Sequence, residues 1–316
     1  MQMENILIVA SKVAVLFVLM GTGFMVRRFK ILGDAAIEGC ANLLMVVVTP
    51  CLIVDCFRRP FDPQMLGGLG LAFAIASLGH FAAIAIASVV VRHRDENVRR
   101  PLALAAVFSN AGFMGLPLEQ AIIGDEGVFY GVVYVVVFNL FIWSWGLRTM
   151  QDEGGDSRSS CAWKMFVNPG TVGLAVGFPI FFFSVDLPSI VAEPLHHIAN
   201  LNTPLAMIVV GYSLAGANLG RVAKMPAAYV AMSVRLVAYP LAVIAAMYPF
   251  RNVLDRDMML ALSIASAAPV AAMVSMLSVK YRRDVETSVA VVSASTLLSI
   301  LTIPTLVAFA KRLCDH

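Results

Sequence analysis

Apolar residues run in long blocks divided by short polar joints, from one end of the chain to the other. Ten blocks lie near residues 5–26, 36–54, 66–91, 101–122, 127–147, 168–184, 195–218, 226–248, 257–278 and 286–310. As helices they are long enough to cross the roughly 30 Å hydrocarbon core of a bilayer. The pattern predicts an all-α membrane protein of ten transmembrane helices with no sizeable soluble domain. MQMENILIV at the start lacks a basic leader and a small-residue cleavage site, so it reads as the uncleaved opening of span 1.

Span 4 breaks the pattern. FSNAGFMGLP, Phe108 to Pro117, puts one Asn, two Gly and one Pro inside an apolar block. Ten residues beyond Arg100, at about 1.5 Å each, Asn110 reaches roughly half the membrane depth. Gly112 and Gly115 permit non-helical backbone, and Pro117 removes a donor. Span 9 enters from the other face and carries Pro269 at a similar depth, within SIASAAPVAAM (Ser263 to Met273). Backbone groups freed by such breaks are tolerated only where they line a cavity or meet protein. Helices 4 and 9 are therefore expected to be broken and to cross near the midplane. Half-helices restarting after Pro117 and Pro269 would aim N–H groups at the crossing and favour a carboxylate. Asn110, Gly112, Gly115, Pro117, Pro269 and Val270 are the candidate substrate-binding residues, with Asn139 of span 5 as further lining. The alternative is a pair of proline kinks that only shape packing.

The two halves share landmarks. Thr49-Pro50 matches Thr203-Pro204, Leu102-Ala-Leu matches Leu260-Ala-Leu, and Asp125 before a Val pair matches Asp284 before another, at offsets of 154, 158 and 159 residues. Residues 1–150 form one five-span repeat, 151–164 a polar cytoplasmic connection, and 165–316 a second repeat. An odd span count inverts the second copy, an arrangement found in secondary transporters with sites at broken helices.

Composition and charge narrow the class. The chain is 59% hydrophobic and 14% charged, against about 25% charged in soluble domains. One set of joints, including Arg92, Arg94, Arg99, Arg100, Lys280 and Arg283, holds fifteen cations, and the opposite set with both termini holds six. The richer side is expected to be cytoplasmic and both termini periplasmic or extracellular. The net charge of +3 thus reflects topology and gives no reason to expect nucleic acid. Five cysteines without CxxC give no disulfide framework, and His196-His197 lacks metal-ligand spacing.

Polar residues inside spans are the remaining candidates for coupling or lining. Arg235 in span 8 marks either a pathway or a structural pair with a carboxylate. Glu119, shortly after Pro117, is read as either an interfacial carboxylate or a proton-coupling group. His80 in span 3 suits a proton relay or plain packing. Thr296 and Ser299, with Ser295 and Thr302, form a polar face on span 10. Gly211-Tyr-Ser213-Leu is too weak a nucleophile motif to suggest an enzyme, and is better explained by close helix packing.

Asn110-Ala-Gly-Phe-Met-Gly-Leu-Pro117 resembles the N-x-G-x-x-G-x-P signature of the auxin efflux carrier family, whose bacterial branch includes malate and malonate permeases. Gly124-Asp-Glu-Gly-Val, Thr203-Pro-Leu-Ala, Gly211-Tyr-Ser-Leu-Ala, Arg235 to Pro240, Pro269-Val-Ala with Lys280-Tyr281, and Ser295-Thr-Leu-Leu-Ser299 agree in order. The resemblance implies two inverted five-helix repeats with the architecture of bile acid sodium symporters. Helices 1, 2, 6 and 7 would form a scaffold, and 3–5 with 8–10 a transport unit moving by an elevator mechanism, often in a homodimer. It also implies a bacterial inner-membrane permease for small organic anions. Plant members carry an acidic residue and a lysine in span 3, where this chain offers Ser77 and His80. That shifts the expected substrate to a mono- or dicarboxylate such as malate or malonate. No cofactor is expected. Proton coupling or uniport is favoured over Na⁺ coupling, since only Asn110, Glu119 and hydroxyls lie near the crossing. A membrane solute sensor on a transporter fold is the alternative.

Overall fold

Helices end where the polar joints fall, and aspartates in the joints start the next ones. Asp62 accepts from Gln64 N, Asp95 from Asn97 N, Asp255 from Met258 N and Asp284 from Thr287 N, all at 2.8–2.9 Å. Each satisfies one of the amides that a helix start leaves without an intrahelical partner. The computed structural model describes residues 2–151, 169–216 and 218–314. Its main helices are α1 (Gln2–Arg28), α2 (Asp34–Cys56), α3 (Pro63–Val90), α4a (Glu96–Val107), α4b (residues 111–122), α5 (Asp125–Met150) and α6 (Pro169–Phe182). They continue with α7 (Ser189–Ala215), α8 (Pro226–Phe250), α9a (Arg256–Ala267), α9b (Met273–Lys280) and α10 (Val285–Cys314).

The architecture is all-helical. The sole β-type pairing among the described residues is an isolated antiparallel bridge, Ser109 to Val270. Six helices, α2, α3, α5, α7, α8 and α10, are long and apolar enough to cross a membrane, and α6 is a shorter apolar helix. The expected connection at 151–164, together with Cys161, lies outside the described residues apart from Gln151.

Partners are exchanged between the two halves of the chain. α1 packs along α7, and α6 along α2. α5 packs on α9a, and α10 on α4a and α9a. Glycine permits the closest approaches. A Cβ at Gly23 would run into the Ile208 carbonyl and one at Gly211 into that of Met20, so α1 and α7 touch backbone to backbone. Gly173 and Gly177 admit Pro50, Ile53 and Phe57 of α2 in the same way. Ser213 donates to Val209 O of its own helix at 3.0 Å, which fits the packing reading of the Gly211 stretch.

Four helices contain a widened π turn: Leu44–Val48, Ala111–Gly115, Ile142–Gly146 and Val234–Ala238. Three are followed two residues later by proline, at Pro50, Pro117 and Pro240. A proline ring clashes with the carbonyl four residues back, here Val46, Phe113 and Leu236, each in the middle of its π turn. The extra residue per turn separates the two groups and lets the helix continue past the proline.

Candidate functional site

Both interruptions lie where the sequence places them, and α9 restarts after Pro269 as expected, but α4 restarts before Pro117 and not after it. α4a ends at Val107, Phe108–Asn110 is non-helical with Phe108 extended, and the helix resumes at Ala111, well before Pro117. α9a ends at Ala267 and α9b begins at Met273, past Pro269. Pro117 sits inside a continuing helix because the π turn absorbs it, so it does not mark a half-helix start. The non-helical segments cross and pair by backbone. Asn110 N donates to Pro269 O at 2.6 Å, and Ala271 N to Phe108 O at 2.9 Å. Val270 N finds Ser295 Oγ of α10 at 3.1 Å. Breaks that would be costly in hydrocarbon thus satisfy one another.

A cavity with about 760 Å³ of empty space, part of it open, lies beside the crossing. Asn110, Gly112, Ala271 and Ala272 form its wall at the breaks, while Asn139 and Trp143 of α5 stand across it. Met45 and Thr49 of α2 with Pro169 and Gly170 of α6 close another side. No ionisable side chain lines it among the described residues. The Asn110 side chain is 7% exposed and has no hydrogen bond among the described residues, so its amide is available to a guest. A smaller cavity on the other side of Asn110 is lined by Ser213, Ser293 and Thr296.

The other candidate residues are dispersed. Asn139 lines the cavity beside the crossing and is held in its own helix: Nδ2 donates to Val135 O at 2.8 Å, and Oδ1 accepts from Trp143 Nε1 at 3.3 Å. Gly115 packs near Ala265, and Pro117 is buried in α4b, so neither lines a described cavity. Pro269 and Val270 contribute backbone to the crossing. Thr296 lines the smaller cavity, whereas Ser299 is buried and donates to Thr296 O at 2.6 Å.

His80 is buried, with Nδ1 at 2.8 Å from Ala76 O, among the rings of Phe108, Tyr134 and Phe141. Glu119 is 1% exposed and therefore enclosed by protein, not set on the surface. Its carboxyl group occupies the space that Gly131 of α5 leaves empty, and neither oxygen has a hydrogen-bond partner among the described residues.

Arg235 has no carboxylate partner among the described residues. From the π turn of α8 its guanidinium donates to Val107 O at 2.7 Å and to Ser266 O. It also lies 4.4 Å from the centre of the Tyr239 ring and is fully buried. One side chain therefore caps the C-terminal ends of both α4a and α9a. The residues that the sequence reading missed, Met45, Phe113, Phe138, Trp143, Met273 and Met276, are apolar residues within apolar runs. Three of the six, Met45, Phe113 and Trp143, sit in π turns, features that recur at functional sites.

The cation-rich joints form a separate cluster. Glu96 pairs with Arg99 at 2.7 Å and Arg100 at 3.1 Å, while Arg283 donates to Met150 O and Asn97 Oδ1. Hydrogen bonds from Arg99, aided by Arg100, hold the Glu96 carboxyl down at about 2.

Apolar helices, paired breaks and a mostly apolar cavity with a few uncharged polar groups at their crossing are features that fit a multi-pass membrane transport protein. The chain belongs to the membrane transport protein family, the auxin efflux carrier family, whose model matches residues 8–307. An uncharacterized transporter of Methanothermobacter thermautotrophicus is 24% identical over 291 residues, covering 91% of this chain and 93% of its own length. A transporter family is consistent with the expectation that the protein is not an enzyme.

Proposed function

We propose that the protein is a secondary carrier for a small organic anion, a mono- or dicarboxylate such as malate or malonate. The observation that carries this reading is the wall of the cavity beside the crossing. It combines a buried amide at Asn110 with the starts of two half-helices, and among the described residues that amide makes no hydrogen bond and the wall holds no acidic side chain. Helix starts bear roughly half a positive charge each. An amide N–H donates to a carboxylate oxygen without the cost of burying an ion.

On this reading the ten helical segments form ten spans in two inverted repeats. The exchange of partners, α1 on α7 and α6 on α2, supports it. α1, α2, α6 and α7 serve as scaffold, and α3–α5 with α8–α10 as the moving unit. The cavity lies between α2 and α6 on one side and α4, α5 and α9 on the other, a location suited to an elevator displacement. The richer set of cationic joints, at the starts of α4a and α10, faces the cytoplasm of a bacterial cell, and two copies assemble through the scaffold. A proton is the proposed coupling ion.

The test is uptake of labelled malonate and malate into proteoliposomes with imposed pH, sodium and voltage gradients. Saturable flux that Asn110→Ala weakens is the expected result. Unsaturable flux would indicate a channel, binding without flux a sensor, and an unaffected Asn110→Ala variant would remove that residue from the site.

A further inference from the structure

Four helix ends meet at the crossing. Two are C-terminal, from α4a and α9a, and two are N-terminal, from α4b and α9b. Each carries about half an elementary charge, negative at C-termini and positive at N-termini. Left alone, the four would cancel, and the cavity would have no preference for charge. Arg235 changes that balance. Its guanidinium binds the last-turn carbonyls Val107 O and Ser266 O, the two negative ends, and leaves both positive ends facing the cavity. Its own charge, about equal to the sum of the ends it covers, meets no carboxylate among the described residues.

We propose that Arg235 is a positioning residue that sets the charge preference of the crossing. By neutralising both C-terminal helix ends it makes the neighbouring cavity electropositive, although no cationic side chain lines that cavity among the described residues. The inference rests on the reading that the cavity takes an anion, and it names the residue responsible for that selectivity. The α8 helix supplies the residue from behind, with Tyr239 stacked against it. The guanidinium therefore tunes the site without touching a guest. A lysine can supply the same charge but not the rigid two-pronged geometry.

Electric potential can be read directly with an introduced thiol, since the thiolate is the species that reacts with iodoacetamide. Ala272→Cys places the probe on the cavity wall beside the break, and Met45→Cys places a reference on the opposite wall. Alkylation at each site is followed by peptide mass spectrometry on purified protein at fixed pH. In the unaltered Arg235 background the thiol at position 272 is expected to react faster than the one at 45. Adding Arg235→Gln should slow it about tenfold, corresponding to roughly one pKa unit, while Arg235→Lys should preserve the rate even if melting falls.

Equal rates with Arg, Lys and Gln would reduce Arg235 to a structural clip and overturn the proposal. So would a Lys variant as slow as Gln. Should the Gln variant fail to fold, Arg235→Met, which keeps the length of the side chain without its charge, takes its place in the comparison, and the rates at positions 272 and 45 are read as before. A thiol at 272 no faster than at 45 overturns it as well. Absence of carboxylate uptake by the unaltered protein would sink the carrier reading while leaving these rates to judge Arg235.

Discussion

The α4 and α9 interruptions do the same backbone work with different residues. At each, one non-helical stretch donates to the other, Asn110 N to Pro269 O and Ala271 N to Phe108 O. Such bonds need no particular side chain, so the side chains at the two breaks are free to diverge. The α4 break presents an amide to two cavities. The α9 break presents Ala271 and Ala272, holds its proline inside the extended stretch, and borrows Ser295 of α10 for its remaining donor. Pairing the backbones made the crossing symmetric, and the chemistry then settled on one side of it.

That contrast can be attacked by paired substitutions. Asn110→Ala should raise KM for the transported carboxylate about 10- to 150-fold, the equivalent of losing a hydrogen bond to a charged group worth about 1.5–3 kcal/mol. Val270→Ala on the opposite strand should lower the melting temperature, by about 1–2 kcal/mol of lost burial, and leave KM within about twofold. Similar KM effects at both positions would erase the distinction.

Ser295→Ala should cost about 1–3 kcal/mol, because it leaves the buried Val270 N–H without a partner. Chemical denaturation or melting would measure it. No change would mean that a water replaces the hydroxyl. Pro117→Ala is expected to shift stability by about 1 kcal/mol or less, well below the ~3 kcal/mol that proline costs in a regular helix interior. The widened turn before it has already removed the clash, and a gain near the full value would refute that account.

The smallest effect concerns the start of α4a. Glu96 is held at about 2 against an ordinary 4.5. A carboxylate with a lowered folded-state value stabilises the fold above its unfolded value, and that contribution disappears as pH falls from about 4.5 through about 2. The pair is exposed, so it contributes less than about 1 kcal/mol. Melting curves of the unaltered protein and Glu96→Gln should differ at pH 6 and converge near pH 2.

The breaks at 108–110 and 268–272 were visible in the sequence because Asn, Gly and Pro are rare enough in apolar helices to stand out. Approximate helix boundaries were visible because polar joints interrupt the apolar blocks, while the aspartate caps within those joints emerged only with the structure. Pro117 misled because its effect on the helix depends on the turn before it. Whether that turn is regular or widened is a matter of packing, which composition does not record. The cavity walls at Met45, Phe138 and Trp143 were hidden because an apolar residue facing a cavity looks like one facing lipid. Glu119 looked interfacial from its place after Pro117, yet the missing side chain at Gly131, on another helix, gives it a buried seat.

By itself the sequence determined which segments are apolar, where helix is interrupted, and which buried polar residues must find partners, because these follow from local hydropathy and backbone chemistry. Only the tertiary structure decided what those partners are. Arg235 is legible as a charge inside a span, but its two carbonyl acceptors lie 128 and 31 residues away. They meet because two helices stop at one place, and a guanidinium between them makes opposed helix ends add up to a positive site.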